Sequence, residues 1–286
     1  MSYAHIENLY RNQTILMFRE CYALEKIHGT SAHVAWKGGK LSTFSGGESA
    51  ERFAALFSAD GLRARFMALG HADVTVYGEA YGGKCQGMSA TYGKELRFVA
   101  FDVQVGEAWL DVANAADVAA KLGLEFVHYE KISTDLAAID AQRDADSVQA
   151  GRNGMGPGHK REGVVLRPLM EFRDHRGKRI VAKHKRDEFQ ETATPREVDP
   201  VRAKVLADAE EIALEWVTDN RLTHVLDKIP TPHAPEQTGL VIKSMVEDVL
   251  REGAGEFVDT KDARKAIGRQ AAALFKKLLA SALGDA

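Results

Sequence analysis

The feature that most constrains the fold is a change of pattern across a polar segment with two prolines, residues 191–200. Before this segment, short runs of alternating apolar and polar residues are separated by turn residues, which indicates β-strands with helices between them. After it, apolar residues recur at helical spacing. We therefore predict an α+β fold: a domain of antiparallel sheets with flanking helices over residues 1–192, a linker over 193–200, and a small all-α domain over 201–286.

The predicted elements follow from these periodicities. Strands are expected over residues 21–24, 31–36, 41–44, 73–79, 97–105, 162–167 and 179–185. Helices are expected over residues 48–69, with Gly61 as an interruption, and over 112–122, 134–148, 201–219, 222–229, 238–252 and 261–283. The stretch 151–158 contains four glycines and a proline, which indicates a loop. Lys37-Gly38-Gly39-Lys40 indicates a hairpin turn.

The charge is unevenly distributed. The net charge of −3 argues against a protein that binds polyanions over its whole surface. However, residues 152–189 carry eleven Lys or Arg against five Asp or Glu, and residues 260–283 carry six against one. Basic segments on an otherwise acidic chain favour a localised polyanion-binding surface, although solvated surface residues also produce such segments.

Targeting and redox features of the sequence are few. The two cysteines, Cys21 and Cys85, are too few for a disulfide framework and lack zinc-site spacing, so we expect both to be reduced. The N-terminus lacks the regions of a signal peptide, and no stretch is long and apolar enough for a membrane span. We expect a cytoplasmic protein that does not bind membranes.

Lys26 is the strongest candidate for chemistry. The spacing Lys-x-x-Gly that begins there occurs four times in the chain and by itself has almost no specificity. Lys26 differs from the others because segments further along the chain supply the groups that a nucleophilic lysine would need. It also follows a short predicted strand and is flanked by Leu24 and Ile27, which fits partial burial. A lysine amine is nucleophilic only after losing its proton, so a site that uses one must favour the neutral amine by desolvation or by nearby cations.

Other candidate residues lie at the ends or on the faces of predicted strands. Glu79 follows Gly78 at a strand end, where a carboxylate is suited to accept hydrogen bonds from a sugar hydroxyl. Phe101 can serve as a core residue or offer its ring to a base. Strand alternation places Lys183 and Lys185 on the same face, where two ammonium groups would suit a triphosphate.

Taken together and in order, these segments resemble the RNA ligase 2 family of the covalent nucleotidyltransferase superfamily, which includes ATP-dependent ligases and capping enzymes. His28 within the lysine motif favours the RNA ligase branch. The segment from Trp216 to Arg221 is also similar to that family's C-terminal domain. The resemblance is carried by Glu25-Lys26-Ile27-His28-Gly29-Thr30, Tyr77-Gly78-Glu79, Phe101-Asp102, Glu162-Gly163-Val164-Val165-Leu166-Arg167-Pro168 and Ala182-Lys183-His184-Lys185.

The resemblance implies an ATP-dependent ligase that joins a 3′-hydroxyl to a 5′-phosphate of RNA, with nicked duplex RNA as the expected substrate and no obligate protein partner. Lys26 would attack the α-phosphorus of ATP to form lysyl-AMP, and His28 would support this step. Ile27 would belong to the nucleotide site, and Asp102 is a matching position without an assigned role. The remaining implied roles are adenine recognition through the backbone of Glu25, ribose binding by Glu79, base stacking by Phe101, Mg²⁺ or Mn²⁺ binding by Glu162, and phosphate binding by Lys183 and Lys185.

One departure from the family pattern leaves alternatives open. The family carries Lys-Arg at the end of the strand after the nucleophile, where this chain has Ser45-Gly46. Arg52, Arg63 or Arg65 could replace the arginine that contacts the substrate's phosphate end. A ligase of DNA or of mixed strands therefore stays an alternative. A non-catalytic RNA-binding protein is a further alternative, although binding alone would not need Lys26, Glu79, Glu162, Lys183 and Lys185 together.

Overall fold

The computed structural model describes residues 3–174, 177–190, 209–231 and 233–284. The chain divides into two compact units, residues 1–186 and 187–286. This division lies earlier than the predicted boundary at residue 192, and the predicted linker at 193–200 falls outside the described residues. Within the described ranges, no helix combines the length and apolar character needed to cross a bilayer.

The first unit is built on two five-stranded sheets. Its strands are β1 (Glu7–Asn8), β2 (Glu20–Lys26), β3 (Thr30–Lys37), β4 (Lys40–Ser45), β5 (Asp73–Tyr81), β6 (Arg97–Val105), β7 (Ala108–Trp109), β8 (Tyr129–Ser133), β9 (Gly163–Arg167) and β10 (Ala182–Lys185). The first sheet has the order β1-β10-β9-β2-β8, and the second sheet has the order β4-β3-β5-β6-β7. The short pairing of β1 with β10 is parallel and the others are antiparallel, so the predicted antiparallel architecture is confirmed.

Helices flank the second sheet on one face. The helices of the first unit are α1 (Ala50–Ala54), α2 (Ala59–Leu69), α3 (Ser89–Tyr92), α4 (Val112–Lys121), α5 (Leu136–Arg143) and α6 (Val148–Arg152). Val34 and Trp36 of β3 pack in one buried cluster with Leu62 and Phe66 of α2, and Ala115 of α4 joins them. A second buried cluster brings Leu24 of the first sheet together with Val99 of the second. Strand alternation thus gives the second sheet one helix-covered face and one face toward the functional residues.

Serine caps explain where the helix predictions differ from the structure. Residues 48–69 form two helices. Ser49 caps the start of α1 by accepting a hydrogen bond from Arg52 N, and Ser58 starts α2 by accepting one from Gly61 N. Gly61, the predicted interruption, lies in the first turn of α2. The helix predicted over 134–148 is likewise divided, since Ser147 caps α6. Gly151 and Arg152, predicted to be loop residues, belong to α6. A serine side chain that accepts from a backbone amide starts a new helix at these points.

The second unit is helical throughout its described elements, which confirms the predicted all-α character. Its α-helices are α7 (Ala209–Trp216), α8 (Asp219–Leu226), α9 (Thr238–Glu252) and α10 (Lys261–Gly284). They share one buried apolar cluster that includes Trp216, Leu222, Val249 and Phe275. The prediction of 238–252 is confirmed, and the helix predicted over 261–283 begins after Thr260, whose Oγ1 accepts from Ala263 N. The first part of the helix predicted over 201–219 lies outside the described residues.

Candidate active site

Lys26 and Glu162 meet because two strand ends are paired. Lys26 is the last residue of β2 and lies opposite Gly163, the first residue of β9. Glu162 directly precedes Gly163, and its Oε2 is 2.9 Å from Lys26 Nζ. A Cβ atom at Gly163 would lie 2.2 Å from the carbonyl oxygen of His184, so only glycine lets β9 and β10 approach this closely here.

Two further side chains complete a cluster around the Glu162 carboxylate. Lys185 lies opposite Gly163 in the β9–β10 pairing, and its Nζ is 2.9 Å from Glu162 Oε1. His28 Nδ1 lies 3.2 Å from Glu162 Oε2. Lys183 is buried two residues before Lys185 and shares its face of β10. One buried carboxylate therefore holds a lysine from β2, a lysine from β10 and a histidine in a single cluster, although these residues are far apart in sequence.

The environment of Glu162 keeps it ionised. Burial by itself would raise the pKa of Glu162, but the positive charges of Lys185 and Lys26, together with His28, hold that pKa well below its ordinary value. A buried carboxylate of this kind is stable only while its cationic partners stay in place. Glu162 therefore fixes the positions of the groups that the sequence predicts for phosphate chemistry.

Glu79 belongs to the same site. It lies on β5, and its carboxylate accepts a hydrogen bond from the backbone amide of Gly29. A Cβ atom at Gly29 would lie 2.4 Å from the Ala80 carbonyl oxygen, so glycine is required where the chain passes β5. Burial raises the pKa of Glu79 to about 7, while the charges of Lys26 and Lys185 oppose this rise and the charge of Glu162 adds to it.

Phe101 lies at an irregularity in the second sheet. Tyr77 is paired with Asp102 and Gly78 with Ala100, so the register skips Phe101. A bulge of this kind redirects a side chain out of the regular alternation. The Phe101 ring is partly buried, packs against the cluster that contains Ile27, and lies edge-on to Tyr3 at a centroid distance of 5.0 Å. Ile27 is itself buried.

The Glu25 side chain has a structural contact that the sequence did not reveal. Alternation along β2 turns it to the face opposite Lys26. Its carboxylate accepts from Ser147 Oγ at 2.5 Å and from the amides of Val148 and Gln149 at 3.1 and 3.2 Å. These amides open α6, so Glu25 stabilises the helix N-terminus and ties it to the strand that carries Lys26. The expected role of its backbone in adenine recognition stays a prediction.

Asp102 is the centre of a buried ion network that links the two sheets. Its carboxylate lies 2.9 Å from Arg167 Nη1 on β9 and 2.7 Å from Arg179 Nη1, and it accepts a hydrogen bond from the hydroxyl of Tyr3 at 2.6 Å. Arg179 also lies over the Trp109 ring, 4.1 Å from its centroid. The network ties β6, which carries Phe101 and Asp102, to β9, which begins directly after Glu162.

The three arginines considered for the missing phosphate contact lie in different surroundings. Arg65 Nη1 donates to the Leu122 carbonyl at 2.8 Å, on the helix-covered side of the second sheet. Arg63 is exposed on α2 and pairs with Asp60 at 2.8 Å. Arg52 pairs with Glu48 at 3.0 Å at the start of α1, directly after β4. Of the three, Arg52 is nearest in sequence to Ser45-Gly46, and its phosphate contact stays a prediction.

The site fits a metal ion only together with a nucleotide. Among the described residues, no group of three or more His, Cys, Asp or Glu side chains is placed to hold a metal. Both Glu162 oxygens already contact Lys26, His28 or Lys185. Magnesium commonly uses one or two carboxylates and takes its other ligands from water and substrate phosphates. Glu162 fits that pattern as a single protein ligand.

Comparisons with solved structures show that the fold is shared with known proteins. Solved structures of Naegleria gruberi RNA ligase are similar in fold: a lysine-to-alanine mutant with ATP and Mn, a lysine-to-methionine mutant with AMP and Mn, and an apo lysine-to-alanine mutant. Their TM-scores are 0.52, 0.52 and 0.53, each at 16% identity, covering 66% of this chain and 57% of theirs. This chain thus spans less than two thirds of their length. No curated protein sequence matches this chain.

The sequence comparison defines the family. Residues 19–185 match the RNA ligase family, a range that includes β2 through β10 and every candidate residue from Lys26 to Lys185. This range is more than half of the chain. The solved ligase structures share its fold, and the family match establishes that the chain belongs to the RNA ligase family.

Proposed function

We propose that the protein is an ATP-dependent RNA ligase that works through a lysyl-AMP intermediate. The observation that carries this proposal is the cluster of Lys26, His28 and Lys185 around the Glu162 carboxylate. A purely structural ion pair would need one cation, whereas this site gathers Lys26, Lys185 and His28 around one carboxylate. The Lys26 side chain is 22% exposed. Lys26 is therefore accessible to a nucleotide while its neighbours are held in place.

In the first step Lys26 Nζ forms a bond to the α-phosphorus of ATP, and the bond from that phosphorus to the bridging oxygen of pyrophosphate breaks. The attack needs the neutral amine, so the contact of Lys26 with Glu162 must open and the proton pass to solvent. Lys185 and Lys183 neutralise charge on the phosphates as pyrophosphate leaves. AMP then passes to a 5′-phosphate, and a 3′-hydroxyl displaces it to seal the strand.

The neighbouring residues bind the nucleoside. Glu79 accepts a hydrogen bond from a ribose hydroxyl, and Phe101 stacks on adenine above Ile27. The backbone of Glu25 contributes to adenine recognition. When a divalent ion such as Mg²⁺ or Mn²⁺ is bound with ATP, it supplies further charge neutralisation at the phosphates, with Glu162 as its protein ligand. A structure of Naegleria gruberi RNA ligase was solved with ATP and Mn, which supports the use of ATP and a divalent ion.

The proposed substrate is RNA with a 3′-hydroxyl and a 5′-phosphate, joined at nicks in a duplex as in RNA repair. The helical unit supports this through α10, where Lys261, Lys265 and Arg269 are exposed at four-residue spacing. A ligase of DNA or of mixed strands is a second candidate, because Ser45-Gly46 replaces the family's Lys-Arg pair.

The mass of the intact protein tests the adenylation step. Protein freed of nucleotide is incubated with ATP and Mg²⁺ or Mn²⁺ and weighed. We expect a mass gain the size of AMP, which Lys26→Ala abolishes. An unchanged mass in the wild-type protein would contradict the proposal and favour the non-catalytic RNA-binding alternative.

Sealing assays test the substrate. Nicked RNA duplex, nicked DNA duplex and single-stranded RNA are compared at equal concentration. We expect the fastest sealing at the RNA nick. Faster sealing of the DNA nick would instead support the second candidate.

A further inference from the structure

An exposed face of the β3–β4 hairpin continues the active site toward the edge of the second sheet. Alternation along β3 turns Val34 and Trp36 into the core with α2, so Ser31, His33, Ala35 and Lys37 lie on the opposite face. Of these four residues, Ser31 and Lys37 are exposed, His33 is partly buried and Ala35 is buried. On β4, Lys40, Ser42 and Phe44 are exposed, and the residues between them are less so. The two strands therefore present one shared surface, which we call the hairpin face: Ser31, His33, Lys37, Lys40, Ser42 and Phe44.

The hairpin face begins at the active site. Ser31 is paired with Glu79 across β3 and β5, and directly opposed residues place their side chains on the same face of a sheet. His33 is the next residue of β3 on that face and is paired with Tyr77. From Ser31 to Lys37 the strand extends roughly 20 Å at a rise of about 3.3 Å per residue. The surface is thus long enough for several nucleotides.

The side chains on this face have the chemistry of a nucleic-acid surface. His33 and Phe44 are opposite each other, and their rings stack at a centroid distance of 5.2 Å with 22° between the planes. Phe44 is 44% exposed, so part of its ring is open to solvent. Lys37 and Lys40 are paired at the far end, and both are exposed. Aromatic rings that stack bases, combined with cations that follow the backbone, are typical of surfaces that bind nucleic-acid strands.

His33 favours base stacking over a charged contact. Burial, together with neighbouring positive charge that includes Lys37, lowers the pKa of His33. A neutral imidazole stacked on Phe44 extends an apolar platform, while Lys37 and Lys40 supply the positive charge further along the strands. The platform lies next to the ribose site at Glu79, and the charged pair lies at the hairpin turn.

We propose that the hairpin face binds the RNA strand beside the ends to be joined, with a base on Phe44 and His33 and the backbone along Lys37 and Lys40. This inference rests on the proposed function, because it assigns a substrate-binding surface to that same site. It also gives the chain a way to hold the strand near Ser45-Gly46, where the family's Lys-Arg pair is absent.

The test uses the full chain and a fluorescently labelled nicked RNA duplex as probe. Phe44→Ala should weaken RNA binding about tenfold, the effect of losing one stacked base, while Phe44→Trp should keep wild-type affinity. The double variant Lys37→Ala/Lys40→Ala should weaken binding and lower the slope of log K against log salt by roughly 1–2. Lys121→Ala is the matched control, because Lys121 is an exposed cation on α4, a helix that packs on the opposite face of the sheet.

Formation of lysyl-AMP from ATP separates the two proposals. Phe44→Ala and the double-lysine variant should form it at the wild-type rate, which also shows that they fold. Wild-type affinity for RNA in Phe44→Ala and the double variant, or an equal loss in Lys121→Ala, would overturn the inference and leave the hairpin face to another partner or to solvent. If wild-type protein forms no lysyl-AMP, the proposed function fails, whereas the RNA-binding measurement still decides the hairpin face.

Discussion

At the scale of single residues, the site is organised by charge compensation around Glu162. Its two carboxylate oxygens contact Lys26, His28 and Lys185, and it is almost fully buried. Removing one partner from such a cluster leaves the others uncompensated, so the members act together. Each single substitution is therefore expected to change more than one contact.

Glu162→Gln tests this coupling. The amide keeps the shape of the side chain but loses the negative charge that holds Lys26 and Lys185 in place. We expect the rate of lysyl-AMP formation to fall at least about 100-fold, as when one pre-positioned electrostatic group is removed from an active site. The measurement is single-turnover attachment of AMP, with Glu107→Gln, an exposed carboxylate between β6 and β7, as control. A rate within threefold of the wild-type rate would contradict the central position of Glu162, because a threefold change corresponds to less than about 1 kcal/mol of activation free energy.

Glu79 gives a prediction about pH. Burial raises its pKa from 4.5 to about 7. Between these values the unfolded chain releases the proton while the folded protein retains it, so folding stability falls as pH rises and then levels off above pH 7. Glu79→Gln removes this penalty. Its stability relative to wild type should therefore increase by about 1–3 kcal/mol across the window.

The measurement for Glu79 is denaturant unfolding of both proteins at several pH values from 4.5 to 8, a range set by the two pKa values. This pH range is bounded by the unfolded and folded pKa values of Glu79. The unfolding free energies of wild type and Glu79→Gln should therefore diverge as pH rises through it. A difference in unfolding free energy that stays constant with pH would show that Glu79 titrates alike in both states.

At the scale of elements, the site depends on how closely strands pass one another. Gly29 passes Ala80 and Gly163 passes His184 at distances that leave no room for a side chain. These approaches bring the C-terminal ends of β2, β5 and β10 to one place. The glycines are thus part of the site, although they carry no functional group.

Gly29→Ala and Gly163→Ala should destabilise the fold by about 1–3 kcal/mol each, because the new methyl group must displace backbone. They should also slow AMP attachment, since the displaced strands carry Glu79 and Lys185. Gly151→Ala is the matched control, because Gly151 lies in α6 with no atom within 4 Å of its Cβ position. That variant should be neutral or slightly more stable. Thermal unfolding of the three variants measures the difference, and equal stability in all of them would refute the packing argument.

At the scale of the whole molecule, positive charge is concentrated in two segments of an otherwise acidic chain, residues 152–189 and 260–283. The exposed basic residues of α10 lie in the helical unit, whereas the cluster around Glu162 lies in the first unit. Each contact between a cationic side chain and an RNA phosphate releases counterions. The number of such contacts therefore sets how steeply binding weakens as the salt concentration rises.

Replacing Lys261, Lys265 and Arg269 together by alanine should weaken RNA binding and lower the slope of log K against log salt by roughly 2–3, about one per phosphate contact. Lys243→Ala on α9 is the control, because Lys243 is exposed in the same unit and lies 4.0 Å from Glu247. Titrations from low to moderate salt provide the slopes. A slope unchanged from wild type would mean that α10 does not contact the phosphates.

Local patterns were sufficient for much of the fold, and together with the family resemblance they marked candidate residues that the structure brings together. The alternation in residues 73–79 and 97–105 and the helical spacing in 238–252 depend on backbone geometry alone, and the structure has these elements there. The motif around Lys26, together with Glu79, Glu162 and Lys185, marks groups that the structure brings into one cluster. Serine caps were a local signal too, and they account for the divided helices.

What the sequence by itself determined was therefore the kind of most of the longer elements and the helical character of the second unit, since these follow from local periodicity. The candidate residues came from side-chain chemistry and from the resemblance to a family, and the short strands β1, β7 and β8 were not predicted. Only the tertiary structure decided which groups meet. The Asp102 network with Arg167 and Arg179, the capping of α6 by Glu25, and the stack of His33 on Phe44 join residues through strand register and sheet packing. Register is set by pairing between distant strands, and no local pattern carries that information.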